Sequence, residues 1–328
     1  MGENMNQNEM SLDGFSVLKQ YGEDLTDKVY VTNPAIAREE EIKRLMLVLM
    51  TPEKSALLIG KPGIGKTAIV EGLSYLIRQK QVPDALKEYH VIKINSTSLL
   101  GTVQVQGKSE LIIQLLVNEM KQAPKTILFI DEIHTLIGGR GDGPMDLANI
   151  LKPGLDRGDI KMIGATTTVE YDTYIIRDRA FLRRFERIDV TEPDEATTTK
   201  ILLGSLPKIE KQTGIHMKYN GYLNELLMES IVNATSEFKR VYGLSAMYPD
   251  VAFSVLTGAF SQALLHNKTE VDMLDVYNAI FESKRIYPDS IVKELDAFRE
   301  KFAKFAEQEG ISFPVITINQ IQKNDEIY

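Results

Sequence analysis

Two short stretches carry residue types that could share one reaction. Gly60-Lys61-Pro62-Gly63-Ile64-Gly65-Lys66-Thr67 fits the phosphate-loop pattern G-x-x-x-x-G-K-[ST]. Its glycines let backbone N–H groups turn inward around a polyphosphate, the Lys66 ammonium can reach the β and γ oxygens, and the Thr67 hydroxyl can ligate Mg²⁺. Further along, the apolar run Ile127-Leu128-Phe129-Ile130 ends in Asp131-Glu132. An aspartate at the carboxyl end of a strand beside a phosphate loop can hold the Mg²⁺ shell, and an adjacent glutamate can orient and deprotonate the attacking water. Alone, Asp-Glu after a strand is usually a solvated strand end. In the same chain as the loop, it reads as the hydrolytic half of a phosphoryl-transfer site, with ATP and Mg²⁺ as the expected ligands.

Such residues need a scaffold, and the flanking sequence supplies one. The loop lies between the apolar strand SALLI and the helical pattern TAIVEGLSYLI, which is where the mechanism requires it. Before them, Ile42, Leu45 and Leu49 recur at helical spacing within residues 38–50. After them, YHVIKIN reads as a strand, SELIIQLLVNEMKQ as a helix, TILFIDEI as a buried strand and IKMIGATTT as another. Strands alternating with helices predict an α/β fold, a parallel-sheet sandwich covered on both faces. After Glu192-Pro193 the strand patterns stop, and helical patterns such as YLNELLMESIVNATSEF and VAFSVLTGAFSQALLH predict a small α-helical domain.

The expected organisation is a flexible arm over 1–20, where large apolar residues are few, an α/β domain over 21–190, a helical domain over 191–285, and a C-terminal helix and extension over 286–328. Ile291, Leu295, Phe298, Phe302 and Phe305 form one apolar stripe, with Gly310 as the helix stop. That stripe either packs on the helical domain or docks a partner. ISFPVITINQI beyond it has the composition of a short strand.

Composition narrows the function classes. A chain of 328 residues holds about two domains with real cores. It has no cysteine, and its four histidines lack paired ligand spacing, so neither disulfides nor a zinc site is expected. No apolar run is long enough for a membrane span, and the polar opening GENMNQNEMSLDG is unlike a signal peptide, so a cytoplasmic location is expected. The formal charge is -8 with both signs interspersed, which disfavours nucleic acid as a partner.

Over roughly residues 21 to 260 the sequence resembles the first ATPase module of the Clp unfoldases and disaggregases, the ClpA, ClpB and ClpC group of AAA+ proteins. The resemblance runs through YGEDLT, GKPGIGKTAIVEGL, VPDALK, ILFIDEIHTLIG, MDLANILKPGLDRGDIKMIGATT and FLRRFERIDVTEPDEA. It implies a P-loop AAA+ sandwich followed by a helical lid. It also implies that Thr167, with Thr166 beside it in GATT, senses the γ-phosphate. Arg183-Arg184 before Phe185 would reach into the ATP site of the adjacent copy, so the expected working form is a closed homo-oligomeric ring, hexameric in the family. Nucleotide contacts are expected from Pro62, Gly63, Ile64, Gly65, Lys66, Thr67 and Ala68. The adenine is expected between Ile36, in Pro34–Arg38, and Pro249 of the lid, where the family's Gly-Arg is Ala37-Arg38 here.

The sequence also departs from the Clp pattern. Where those proteins carry an aromatic residue in a loop resembling Lys-Tyr-Arg-Gly, this chain has Gln104-Val105-Gln106-Gly107, and a valine offers a threaded polypeptide little to grip. The lid has Val251 where lysine is usual, and the Ile/Leu-Gly-Phe/Leu tripeptide that docks a barrel peptidase does not occur. No amino-terminal recognition domain, second ATPase module or lid coiled coil is expected. These features favour ATP-dependent remodelling or assembly of a protein client over plain threading. The alternatives are an assembly scaffold gated by nucleotide with slow hydrolysis and, less favoured, a DNA-acting AAA+ protein. Gly138 to Pro144 is expected to be a loop offered to partners or to the ring channel.

Overall fold

The computed structural model describes residues 16–105, 108–123, 125–137, 150–151, 154–155, 160–241, 247–318 and 320. Residues 1–15 of the expected arm, Gln106-Gly107 and the loop Gly138 to Pro144 lie outside the described residues. The chain divides into two compact units, one spanning Met1–Lys28, Lys43–Ile59 and Leu73–Ile188, the other Val29–Ile42, Gly60–Gly72 and Asp189–Tyr328. The phosphate loop and the segment before the first long helix thus group with the helical part of the chain.

In the first unit the strands are β1 (Gly22–Asp24), β2 (Ser55–Ile59), β3 (His90–Ile94), β4 (Thr102–Val105), β5 (Lys108–Leu111), β6 (Thr126–Ile130), β7 (Lys161–Thr166) and β8 (Phe185–Asp189). Six of them form one sheet in the order β1-β3-β6-β7-β2-β8. The neighbours β3, β6, β7 and β2 run parallel. Every residue of β2 and β6 is buried, as their apolar runs over residues 56–59 and 127–130 require for strands covered on both faces. Ile59 lies opposite Thr166 and Ile130 opposite Gly164, so β2, β6 and β7 end at one carboxyl edge. Ligands of open α/β sheets bind at such edges.

Two expectations for this unit change. The arm does not extend to residue 20, because Val17–Tyr21 is helical and Val17 is fully buried. Its N-terminus is satisfied from far along the chain, the Glu119 carboxylate accepting from Val17 N at 2.7 Å, Leu18 N at 3.0 Å and Ser16 Oγ at 3.2 Å. The helix read from SELIIQ begins only at Ile112, since β4 pairs antiparallel with β5 from Thr102↔Leu111 to Val105↔Lys108. Helical apolar spacing starts at Ile112, from which Ile113, Leu116, Val117 and Met120 enter the core.

The second unit packs the helices Glu195–Thr213, Tyr222–Ala234, Asp250–Leu265, Met273–Phe281 and Pro288–Glu309 around one apolar core. Local signals set their ends. Asp194 caps the first helix by accepting from Thr197 N at 2.7 Å, and Gly214 ends it at φ 74°. Asp272 and Asp275 form a capping box on Met273–Phe281. Strands do not vanish altogether, since His216–Met217 pairs in parallel with Glu270–Val271.

The C-terminal helix starts with Pro288 and stops at Gly310, φ 66°. Its Ile291, Leu295, Phe298 and Phe302 are buried in this core, with Phe305 partly buried, so the stripe packs within the unit and is not a free docking face. Residues 311–317 form no strand. They are tied down by Phe313 stacking on Tyr277 at 5.1 Å and by the Tyr277 hydroxyl donating to Pro314 O at 2.6 Å. Among the described residues, no helix is long and apolar enough to cross a membrane.

Candidate nucleotide site

The phosphate loop belongs to the second unit. It begins where β2 ends and runs into the helix Lys66–Arg78, and a helix N-terminus with its free backbone amides favours anions. Gly63 and Gly65 sit at φ 77° and 98°, a conformation that L side chains resist. A Cβ on Gly60 would lie 2.4 Å from the Val190 carbonyl oxygen. Lys66 is only 8% exposed, and its ammonium curls back to donate to Gly60 O at 2.8 Å and Lys61 O at 3.1 Å. A cation is therefore already desolvated inside the loop, held by carbonyl oxygens that it can exchange for phosphate oxygens. Pro62 is exposed, Ile64 buried, and Thr67 and Ala68 half-buried.

Arg38 is the residue that sequence reasoning underrated. It is 6% exposed and donates to Ile64 O at 2.7 Å, Thr191 O at 3.2 Å and the Glu41 carboxylate at 2.7 Å. The guanidinium thus holds the loop's backbone from behind, a use of Arg's rigid fork that lysine cannot copy. The preceding Ala37 adopts φ 55°, where the Clp pattern has glycine. That mismatch was the only hint in the sequence that the turn mattered.

Ile36 packs on Gly204, whose added Cβ would meet Ile36 Cδ1 at 2.5 Å, and Ala35 packs as closely on Gly72. Pro249 is buried at the start of the helix Asp250–Leu265. Ile36, Pro249 and the loop residues 62–68 therefore belong to the same unit, as an adenine and phosphate site would need.

The first unit carries the residues expected to serve hydrolysis at the carboxyl edge of its sheet. Asp131 and Glu132 follow β6, and Glu132 takes a left-handed backbone, φ 52°, with its N–H donating to Asp131 Oδ1 at 3.1 Å. The Glu132 side chain is half-exposed, with Oε2 3.3 Å from His134 Nδ1. That same ring nitrogen lies 3.1 Å from Thr166 Oγ1. The threonine linked to Glu132 through His134 is thus Thr166, which is fully buried. Thr167, expected to sense the γ-phosphate, accepts from Glu170 N at 3.3 Å and caps the following turn.

Arg183 and Arg184 occupy the turn between the short helix Arg179–Leu182 and β8. Their carbonyls accept from Lys54 Nζ at 2.9 Å and Ser55 N at 2.8 Å, while buried Phe181 and Phe185 stack at 4.1 Å on either side. The backbone is anchored and the Arg183 side chain is exposed. The Thr67 hydroxyl and the Asp131 carboxylate each offer oxygen, the donor type that a hard cation takes.

Residues 56–191 match the ATPase family associated with various cellular activities (AAA). The chaperone protein ClpB of Bacteroides thetaiotaomicron is 35% identical over 291 residues, covering 87% of this chain and 33% of its own length. A probable ATP-dependent Clp protease ATP-binding subunit of Chlamydia pneumoniae is 34% identical over 281 residues, covering 84% of this chain and 32% of its own. The chain spans about a third of the length of these curated relatives. Among solved structures, an S. cerevisiae Hsp104-ADP complex superposes with a TM-score of 0.67 at 31% identity, over 93% of this chain and 51% of the other.

Proposed function

Because the chain carries a Clp-like AAA+ module, we propose that it is a Mg²⁺-dependent ATPase that assembles into a ring and uses turnover to remodel or assemble a protein partner. The observation that carries this reading is the phosphate loop, with two left-handed glycines, a buried Lys66 stored against Gly60 and Lys61, and Arg38 bracing it. Lys66 exchanges its carbonyl partners for the β and γ oxygens. Ile36 and Pro249 flank the adenine. Thr67 and Asp131 would hold Mg²⁺, which would supply charge neutralisation on the transferring phosphoryl group. Glu132 takes the proton of the attacking water, Thr167 with Thr166 beside it senses the γ-phosphate, and Arg183 and Arg184 serve the site of the neighbouring copy.

Threading is not the proposed output, since Val105 closes β4 where the Clp pattern has an aromatic ring. The test measures ATPase rate and mass on the same sample across protein concentration, with a Glu132→Gln variant alongside. Turnover that rises with assembly, together with a variant that binds ATP, turns over slowly and keeps rings together, is the expected result. A monomer at every concentration without turnover would leave a nucleotide-gated binding protein. Rapid turnover by Glu132→Gln would remove Glu132 from its role.

A further inference from the structure

A carboxylate lies against the phosphate loop. Asp250, the first residue of the helix Asp250–Leu265, places its Cβ 2.8 Å, its Cγ 3.3 Å and its Oδ2 3.6 Å from the position a Cβ on Gly63 would occupy. A negative charge this close opposes any anion the loop binds, and unpaired it would act against a polyphosphate at short range. The structure pairs it. Arg285 donates from a terminal guanidinium nitrogen to Asp250 Oδ2 at 2.6 Å. The arginine comes from a separate segment, after the helix Met273–Phe281, and its backbone is fixed by Val241 N donating to Arg285 O at 2.9 Å and by the buried Ile286 beside it. Val251, next to Asp250, is fully buried and brings no charge.

We infer that Arg285 is a positioning residue for nucleotide affinity, acting by neutralising Asp250 so that the Gly63 turn accepts a polyphosphate. The inference rests on the ATPase reading above. The pair is part-exposed, so its value to folding is small. Its value to binding is larger, because the carboxylate it cancels faces the loop. The repulsion grows with ligand charge, so Arg285 also sets how well ATP competes with ADP.

The experiment measures binding of fluorescent ATP and ADP analogues to wild type, Arg285→Gln, Arg285→Lys, Asp250→Asn and the Asp250→Asn/Arg285→Gln double variant, at low and high salt, with thermal melts as a folding control. At low salt Arg285→Gln weakens the ATP analogue by about tenfold and the ADP analogue by less. The difference shrinks at high salt. Arg285→Lys stays near wild type, Asp250→Asn binds at least as tightly as wild type, and the double variant returns to wild-type affinity.

Wild-type affinity in Arg285→Gln, with the wild type binding nucleotide, would overturn this inference alone. A double variant as weak as Arg285→Gln would also overturn it, since the arginine would then act independently of the Asp250 charge. A wild type that binds neither analogue would remove the ATPase reading and this inference with it.

Discussion

Replacing Arg38 with methionine should loosen the phosphate loop from behind. The side chain is 6% exposed and makes three bonds, of which the one to Ile64 O at 2.7 Å is fully buried. Methionine fills most of the stem volume, so the loss is electrostatic and no large cavity opens. Removing one partner of a buried ion pair costs roughly 3–5 kcal/mol, and an orphaned buried carbonyl about 1–3 kcal/mol. The Glu41 side chain is 19% exposed and can recover some hydration, which puts the total near the lower end. A loss of about 3 kcal/mol should lower the Tm by about 6–12 °C. If about half of that loss falls on the loop conformation itself, nucleotide affinity drops about tenfold.

Arg38→Lys keeps a charge but not the fork, and should fall between wild type and Arg38→Met. Differential scanning calorimetry with and without ATP, together with titration of a fluorescent nucleotide, measures both effects. A Tm within about 2 °C of wild type with unchanged affinity would refute the claim that this guanidinium holds the loop.

Arg183→Ala should leave nucleotide binding intact and cut turnover by about 10³ or more, as loss of an arginine finger does; normal hydrolysis by a monomeric variant would refute the trans assignment. Phe302→Ala, at a fully buried position, should cost about 3–5 kcal/mol in urea titration, and a smaller cost would mean that the C-terminal helix is peripheral to its unit. The His90 ring is held above its ordinary pKa by its hydrogen bond to Asp24, assisted by the charges of Asp24 and Asp27 and opposed by partial burial and Lys80. Its stabilising effect is therefore full below the unfolded pKa and is lost as pH rises through the raised folded value. Melts from pH 6 to 8.5 should show a small loss, no more than about 1 kcal/mol for this half-exposed pair, and Asp24→Asn should flatten the slope.

Much of the fold and half of the site were legible from residue order. The strands SALLI and TILFI, the loop Gly60–Thr67 and the Asp131-Glu132 step are local patterns, because strand burial, tight glycine turns and acidic strand ends are dictated by residues adjacent in the chain. The cap at Asp194 and the stop at Gly310 are equally local. What the sequence could not determine depends on groups far apart in it. Glu119 orders a helix some hundred residues earlier, Arg38 reaches Ile64 and Thr191, and Arg285 meets Asp250 beside Gly63. Thr166, the last residue of β7, meets His134, while Thr167 after it caps a turn. Hydrogen bonds act over about 3 Å of space and are blind to chain distance, so only the tertiary structure decides such partners.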